Sequence, residues 1–195
     1  MTIRELLATQ TPTLSYELFP PRTLAAESTL VQTMELLAAT KPDFMSITYG
    51  ASGTTRSSSR EVVHRLALAH TIPPLAHLTC VDQSRAELIA VIEEYLADGV
   101  LDFLALRGDP PKGQTDWRPH PDGLLYAYQL VGLLREVAHA HGLDNLSVGV
   151  TAFPANTLKT SGGNKGSTSC APSARQAPTL RSPRCSMRRA TTSPS

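Results

Sequence analysis

Short apolar runs alternate along the chain with longer stretches in which apolar residues recur every three or four positions. Each short run ends at polar, Pro or Gly residues, which is typical of buried β-strands. Apolar residues that recur every three or four positions are typical of helices. The five predicted strands are Leu14–Phe19, Phe44–Tyr49, Leu75–Cys80, Asp102–Leu106 and Leu146–Thr151. Apolar residues at helical spacing mark the four predicted helices between them: Leu30 and Met34, Val62 and Leu66, Leu88 and Ile92, and Leu130 and Leu134.

The ends of the third and fourth predicted helices carry specific signals. Ser84 and Glu87 have the spacing of a capping box, and Gly99 and Gly142 stand where a helix C-terminus favours glycine. Strict alternation of strands and helices predicts a parallel sheet covered by helices, which fits either a barrel or a doubly wound sheet. No G-x-G-x-x-G follows a strand, which disfavours a dinucleotide-binding doubly wound sheet.

The pattern stops at Ala155, and composition changes there. Residues 1–154 carry 11 Lys and Arg and all 17 Asp and Glu, whereas residues 155–195 carry 7 Lys and Arg and no acidic residue. The net charge of +1 is therefore the average of two unlike segments. We predict two parts, an α/β part over residues 1–154 and a disordered or frame-shifted basic tail over residues 155–195.

Two interpretations of the tail remain open. A disordered basic segment could contact nucleic acid, although this one has no aromatic residue to stack on bases. Alternatively, the tail is translated in a shifted frame. An offset of one base permits E-H-P-E-N-L-R-R-E-Q-G over Asn156–Gly166 and A-I-T-Q around Arg181–Arg184, which is sequence of α/β character. We favour the frameshift.

Location and metal binding are constrained by what the sequence lacks. No apolar run approaches the roughly 20 residues that span a bilayer, and Met1–Gln10 has no apolar signal region, so we predict a cytoplasmic protein without membrane contact. Cys80, Cys170 and Cys185 have neither metal-ligand nor disulfide-framework spacing. We predict no metal site.

Polar residues near the carboxyl ends of the predicted strands are the candidates for chemistry, because parallel barrels place their sites there. Glu17 in an apolar strand could serve as a general acid, or could point outward. Thr48 could bind a ligand or be an ordinary β-branched strand residue, and His77 could be a satisfied core group or a ligand contact. Arg107-Gly108-Asp109 could bind phosphate and accept a hydrogen bond, or form a plain turn with a surface ion pair.

Four segments, in this order and spacing, resemble methylenetetrahydrofolate reductases. They read S-Y-E-L-F-P-P-R-T from Ser15, S-I-T-Y-G-A from Ser46, H-L-T-C from His77 and L-A-L-R-G-D-P-P from Leu104. The resemblance covers roughly residues 14–154. It implies a (β/α)8 TIM barrel, here incomplete with about five strands and four helices followed by an irregular tail. It also implies FAD as cofactor and NADH or NADPH as reductant of 5,10-methylenetetrahydrofolate, in the one-carbon metabolism that supplies methionine biosynthesis.

The resemblance also assigns roles to residues. Glu17 is implied as the general acid that opens the five-membered ring of the folate to an iminium, and Asp109 as a catalytic residue beside the flavin. The cofactor-binding positions it implies are Thr48, His77, Arg107, Gly108, Asp109, Tyr126, Ala127 and Phe153, the last standing where the family often has Tyr. The implied partners are the folate and a nicotinamide nucleotide, with no nucleic acid, and homo-oligomeric association.

The chain departs from the family after its fifth strand. A His-Pro-Glu segment is replaced by Ala155–Thr157, and a later strand ending in Thr-Gln is absent, although the shifted frame restores both in order. We therefore expect the chain as written to be inactive. Two further hypotheses stay open: a barrel fragment without a function of its own, and a binding protein whose basic tail contacts nucleic acid.

Overall fold

A computed structural model describes residues 1–9, 11–21, 23–50, 53–69, 72–109 and 118–151. All five predicted strands are confirmed, with ends that differ from the prediction by at most two residues, and so are the four predicted helices. A further helix precedes them. The elements are α1 (Ile3–Ala8), β1 (Ser15–Leu18), α2 (Leu24–Ala38), β2 (Phe44–Ile47), α3 (Gly53–Ala69), β3 (Pro74–Thr79), α4 (Arg85–Ala97), β4 (Asp102–Leu106), α5 (Ala127–Ala140) and β5 (Ser147–Val150).

The five strands form one parallel sheet in the order β1-β2-β3-β4-β5. This sequential order has no point at which the strand order reverses, so the doubly wound alternative is excluded. It agrees with an incomplete TIM barrel. Within the described residues the sheet is not closed, because β1 and β5 each have one neighbouring strand.

The core lies between one face of the sheet and the helices. Side chains that alternate along the strands point into it and are at most 1% exposed: Met45, Ile47, Ala76, Leu78, Phe103 and Ala105. They pack against helix residues that are also fully buried, among them Leu88, Ile92, Leu130 and Leu134. Since a fully buried Leu, Ile, Phe or Met side chain stabilises the fold by about 1.5–3 kcal/mol, this layer holds the sheet in place.

The opposite face of the sheet, here called the inner face, carries the residues between those positions. Phe44, Ser46, Thr48 and Leu104 are half-buried there, and Glu17 is exposed. Because side chains alternate between the two faces of a strand, the choice of face follows directly from sequence parity. The inner face is therefore the side on which a ligand could reach the sheet.

Helix α1 was not predicted, because six residues are too few to show helical periodicity. Its start nevertheless has a sequence signal, since Thr2 and Glu5 form a capping box: the backbone N of Glu5 donates to Thr2 Oγ1 over 3.4 Å, and that of Thr2 donates to Glu5 Oε2 over 2.8 Å. Ile3 and Leu6 are buried. The helix is therefore fixed both by its cap and by packing.

The chain divides into two units, Met1–Phe153 and Pro154–Ser195, and the second lies outside the described residues, as does the predicted tail. Among the described residues, none of the helices is both long enough and apolar enough to cross a membrane.

Candidate functional site

Glu17, Ser46 and His77 lie side by side on three neighbouring strands of the inner face. Glu17 in β1 is the register partner of Ser46 in β2. The Oγ atom of Ser46 lies 2.6 Å from Nε2 of His77 in β3. Strand alternation puts all three side chains on the same face, and parallel pairing puts them at neighbouring levels. The structure therefore brings two of the predicted site residues together, with a serine between them.

His77 is 7% exposed, and its ring is satisfied at one nitrogen by Ser46. Burial lowers the pKa of His77, because the charged imidazolium is poorly solvated there, and the negative charge of Glu17 acts in the opposite direction. With burial as the larger cause, the imidazole is neutral near pH 7. A neutral imidazole offers one donor and one acceptor nitrogen, so it can hydrogen-bond both to Ser46 and to a ligand.

Glu17 faces away from the helices. Its neighbours Tyr16 and Leu18 pack toward the core, whereas Glu17 and Ser15 are exposed on the inner face and Phe19 beyond the strand is 68% exposed. Among the described residues, Glu17 is exposed and no described element covers this end of β1, so its role as a general acid stays a prediction. A general acid at this position needs a covering group.

Thr48 follows β2 directly and is tied to β1. Its backbone N donates to the carbonyl oxygen of Leu18 over 3.0 Å, and its Oγ1 donates to the same oxygen over 3.4 Å. The carbonyl oxygen of Thr48 accepts a hydrogen bond from Ser59 Oγ at 3.0 Å, and that hydroxyl accepts one from Gly50 N at 3.1 Å. The start of the β2–α3 loop is thus fixed relative to β1 and α3.

The turn after β4 depends on a glycine for packing. Gly108 has a φ of +81°, and a Cβ atom there would lie 2.7 Å from Val81 Cγ2 and 3.1 Å from Thr79 Cβ. The turn therefore packs against the end of β3 in a way that no other residue allows. Arg107 and Asp109 flank it, with 3.9 Å between Arg107 Nη2 and Asp109 Oδ1 and side chains that are 60% and 99% exposed.

Of the two alternatives for this turn, the structure shows the ion pair, and ligand binding stays a prediction. The exposed ion pair is the plain surface contact that the sequence allowed, and at such exposure it contributes little stability. The two side chains remain available to a ligand. Within the described residues, no hydrogen bond or ion pair joins Glu17 to Asp109, so the structure does not bring the two predicted catalytic residues into contact.

Sequence reasoning missed a network that fixes the neighbouring loops. Tyr49 donates its hydroxyl to Gln83 Oε1 over 3.1 Å, and Gln83 Nε2 donates to the carbonyl oxygen of Thr79 over 3.0 Å. Burial raises the pKa of Tyr49, an effect opposed by the positive charges of Arg56 and Arg60. Nothing in the sequence signals this network, because its members lie in different loops.

Tyr126 and Ala127 lie where α5 begins. Gln129 Oε1 accepts from the backbone N of Leu125 at 2.7 Å and of Tyr126 at 3.0 Å, which fixes the entry to the helix. The ring of Tyr126 stacks on that of Tyr128 with 5.7 Å between centroids and 12° between planes, and both rings are exposed. The entry to α5 thus presents an aromatic pair to solvent.

Cys80 connects this entry to β4. Its thiol lies 3.5 Å from the carbonyl oxygens of both Leu106 and Tyr126, so the end of β4 and the start of α5 contact the same sulfur. Burial raises the pKa of the Cys80 thiol to about 11, and Arg107 acts weakly in the opposite direction. The thiol is therefore protonated at neutral pH and serves as a structural contact rather than a nucleophile. Phe153, the remaining predicted cofactor-binding residue, lies outside the described residues.

Comparisons with known proteins agree on one family. The family model for methylenetetrahydrofolate reductase matches residues 2–168. The 5,10-methylenetetrahydrofolate reductase of Salmonella typhimurium is 37% identical over 140 residues, and that of Escherichia coli is 35% identical; each match covers 72% of this chain and 43% of the relative. Methylenetetrahydrofolate reductase (NADH) 1 of Zea mays is 31% identical over 72% of this chain and 23% of its own length.

The chain thus spans less than half the length of these curated relatives. The family match begins at Thr2, immediately before α1, includes every strand of the sheet and extends past the last described residue. The resemblance inferred from four short motifs is confirmed, and the chain belongs to the methylenetetrahydrofolate reductase family.

Proposed function

We propose that the inner face of this sheet serves the reduction of 5,10-methylenetetrahydrofolate to 5-methyltetrahydrofolate by NADH or NADPH, with FAD as cofactor. The observation that carries the proposal is the placement of Glu17 beside His77 on the inner face of a family member's sheet. The names of the bacterial relatives, both 5,10-methylenetetrahydrofolate reductases, support the same substrate.

The residues present fit a flavin nucleotide. The exposed guanidinium of Arg107 is a cation able to bind a phosphate oxygen, and α5 begins nearby, since its entry contacts the same thiol as the end of β4. Helix N-termini also favour phosphate. We propose that Arg107, Gly108, Tyr126 and Ala127 hold the diphosphate side of FAD, and that Thr48, His77 and Asp109 contact its ring side. When bound, FAD supplies the hydride that the folate accepts.

Glu17 holds the proton that the folate requires. Opening of the five-membered ring breaks a carbon–nitrogen bond, and the departing nitrogen leaves readily only if it takes a proton. Glu17 lies exposed on the inner face, where a flat ring laid over β1 and β2 would cover it and exclude water. The carboxyl group then delivers its proton to the nitrogen, and a carboxylate remains to stabilise the positive iminium.

We further propose that the reductase acts in cytoplasmic one-carbon metabolism, supplies methionine biosynthesis and associates as a homo-oligomer, as the family resemblance implied. No nucleic acid or membrane enters this proposal.

The 195-residue chain as printed is proposed to lack this activity and to behave as a non-catalytic barrel fragment. Two observations favour this second candidate: Glu17 is exposed, and β1 and β5 each have one neighbouring strand within the described residues. An exposed general acid is surrounded by competing water, and open strand edges promote aggregation.

The experiment compares the printed chain with the product of the same gene after its reading frame has been verified. Each protein is purified, incubated with FAD, and passed through gel filtration to measure retained flavin absorbance. NAD(P)H-dependent reduction of 5,10-methylenetetrahydrofolate is then assayed. The frame-verified product should retain FAD and reduce the folate, whereas the printed chain should do neither. A frame-verified product that neither retains FAD nor takes it up would overturn the proposal.

A further inference from the structure

Ser46 occupies the position between the two titratable side chains of the inner face. It pairs in register with Glu17 on one side and with Leu75 on the other, and its hydroxyl reaches one level along β3 to His77. The distance of 2.6 Å between Ser46 Oγ and His77 Nε2 is at the short end for a hydrogen bond between these atom types. The contact between the two side chains is therefore close.

The direction of this hydrogen bond follows from what else Ser46 can reach. Within the described residues, His77 Nε2 is the only hydrogen-bond partner of Ser46 Oγ. If Nε2 donated instead, the hydroxyl proton of Ser46 would have no protein acceptor within the described residues. The hydroxyl is thus satisfied if it donates to Nε2, and the proton of the neutral imidazole then resides on Nδ1.

The charged surroundings of His77 are simple. The register partner of His77 in β4 is Leu104. The titratable residue of β4 is Asp102, and it pairs with Leu75, one level away from His77. From β2 His77 faces Ser46, which carries no charge, and from β1 it faces Glu17. Glu17 is therefore the charged group that acts on His77 on this face.

We propose that Ser46 is a positioning residue for the proposed reduction: by donating to Nε2 of His77 it fixes one tautomer of the imidazole and occupies the lone pair that would otherwise take the proton of Glu17. The inference rests on the proposed function for its catalytic meaning. If His77 accepted that proton, the pair would become an imidazolium and a carboxylate, and the general acid would have no proton to deliver. Ser46 keeps the proton on Glu17.

The tautomer can be tested in the frame-verified product without any assay of enzymatic activity. Long-range ¹H–¹⁵N spectra of its imidazole groups distinguish a protonated from an unprotonated ring nitrogen, and His77→Asn identifies the signals of His77. The wild-type chain should show His77 protonated at Nδ1 and unprotonated at Nε2 near neutral pH. Protonation at Nε2 instead would overturn the proposal, because Ser46 would then be the acceptor.

Variants at position 46 separate positioning from folding. Ser46→Ala should produce a mixture of tautomers and shift the titration of His77 to higher pH, because the donor that favours the neutral ring is gone. Ser46→Thr keeps a hydroxyl on a residue that suits a strand, and should keep the single tautomer. Ser15→Ala, which removes an exposed hydroxyl from the same face, is the matched control and should change neither. If Ser46→Ala does not fold, the wild-type and Ser46→Thr tautomers still decide the assignment.

A kinetic measurement connects the tautomer to the reaction. In the frame-verified reductase, Ser46→Ala should slow folate reduction but leave flavin reduction by NAD(P)H unchanged. Ser46→Thr should restore the rate of folate reduction. If Ser46→Ala changes the tautomer of His77 but not the rate of folate reduction, the proposed role of Ser46 in the reaction is refuted. Absence of activity in the wild-type protein would refute the proposed function and leave the tautomer result standing.

Discussion

The Oδ1 atom of Asp102 accepts a hydrogen bond of 2.7 Å from the backbone N–H of Ile3, joining the first turn of α1 to the start of β4. Asp102 is 4% exposed, and burial raises the pKa of its carboxyl group, whereas the hydrogen bonds from Ile3 and from the Ser147 side chain act in the opposite direction. One carboxyl group thus connects α1, β4 and β5 at the N-terminal end of β4, on the same face of the sheet as His77 but one level away from it.

Replacing Asp102 by Ala should destabilise the fold by about 1–3 kcal/mol, because the buried N–H of Ile3 loses its acceptor. Asp102→Asn keeps an oxygen acceptor and should cost less. Urea unfolding of the frame-verified product measures both, and hydrogen exchange at Ile3 reports the loss locally. Equal stability of wild type and Asp102→Ala would show that the hydrogen bond is not needed.

The same pair predicts a pH dependence. A carboxyl group whose pKa is higher in the folded state binds its proton more tightly there, so its contribution to stability is present at low pH and is lost as pH rises from its ordinary value of 3.8 through the raised value. The free energy of unfolding of wild type relative to Asp102→Asn should therefore fall over that window. A difference that is flat, or that rises with pH, would contradict the assignment.

Gly108→Ala should destabilise the fold by about 1–3 kcal/mol, because it combines a positive φ with a Cβ atom only 2.7 Å from Val81 Cγ2. Gly132→Ala in α5 is the matched control. Nothing lies within 4 Å of its added Cβ atom, and alanine favours a helix by about 1 kcal/mol over glycine. Thermal melts should place the two variants on opposite sides of wild type. Gly108→Ala melting at or above wild type would refute the packing argument.

Glu17→Gln in the frame-verified reductase should abolish folate reduction and leave flavin reduction by NAD(P)H intact. The amide is nearly isosteric with the acid but cannot deliver a proton, and hydride transfer from nicotinamide does not require that proton. Stopped-flow measurement of each half-reaction decides the question. Glu35→Gln, an exposed substitution in α2, should change neither rate. Equal loss in both half-reactions would mean that Glu17 has a structural role.

Resequencing the gene around the codons for residues 154–156 should reveal a shifted frame. The expected downstream product contains His-Pro-Glu and Thr-Gln in that order, as the alternative frame permits. An unshifted gene that encodes the printed tail would sink the frameshift hypothesis. The chain as printed, expressed alone, should aggregate, and a soluble monomer that melts cooperatively and retains FAD would contradict that expectation.

The sequence by itself determined the order and nature of the elements. β4 was predicted as Asp102–Leu106 and lies at those residues, because a continuous apolar run between polar neighbours leaves no other choice. Helix α4 begins after Ser84 and ends before Gly99, where its capping signals stand. Strand parity also puts His77 on the same face of β3 as Leu75 and Thr79, since side-chain direction alternates along every strand. These features are local, so nearby residues suffice to specify them.

Tertiary structure alone decided which distant residues meet. Ser46 contacts His77 across 31 positions, and Ile3 contacts Asp102 across 99, and neither pair has a sequence signal because both depend on strand register and helix packing. Tertiary structure also decided the exposure of Glu17, because the burial of a strand residue depends on which other elements cover the strand. Gly108 shows the same division. The sequence indicated a turn there, and only the packing of Val81 against it explains why the turn requires glycine.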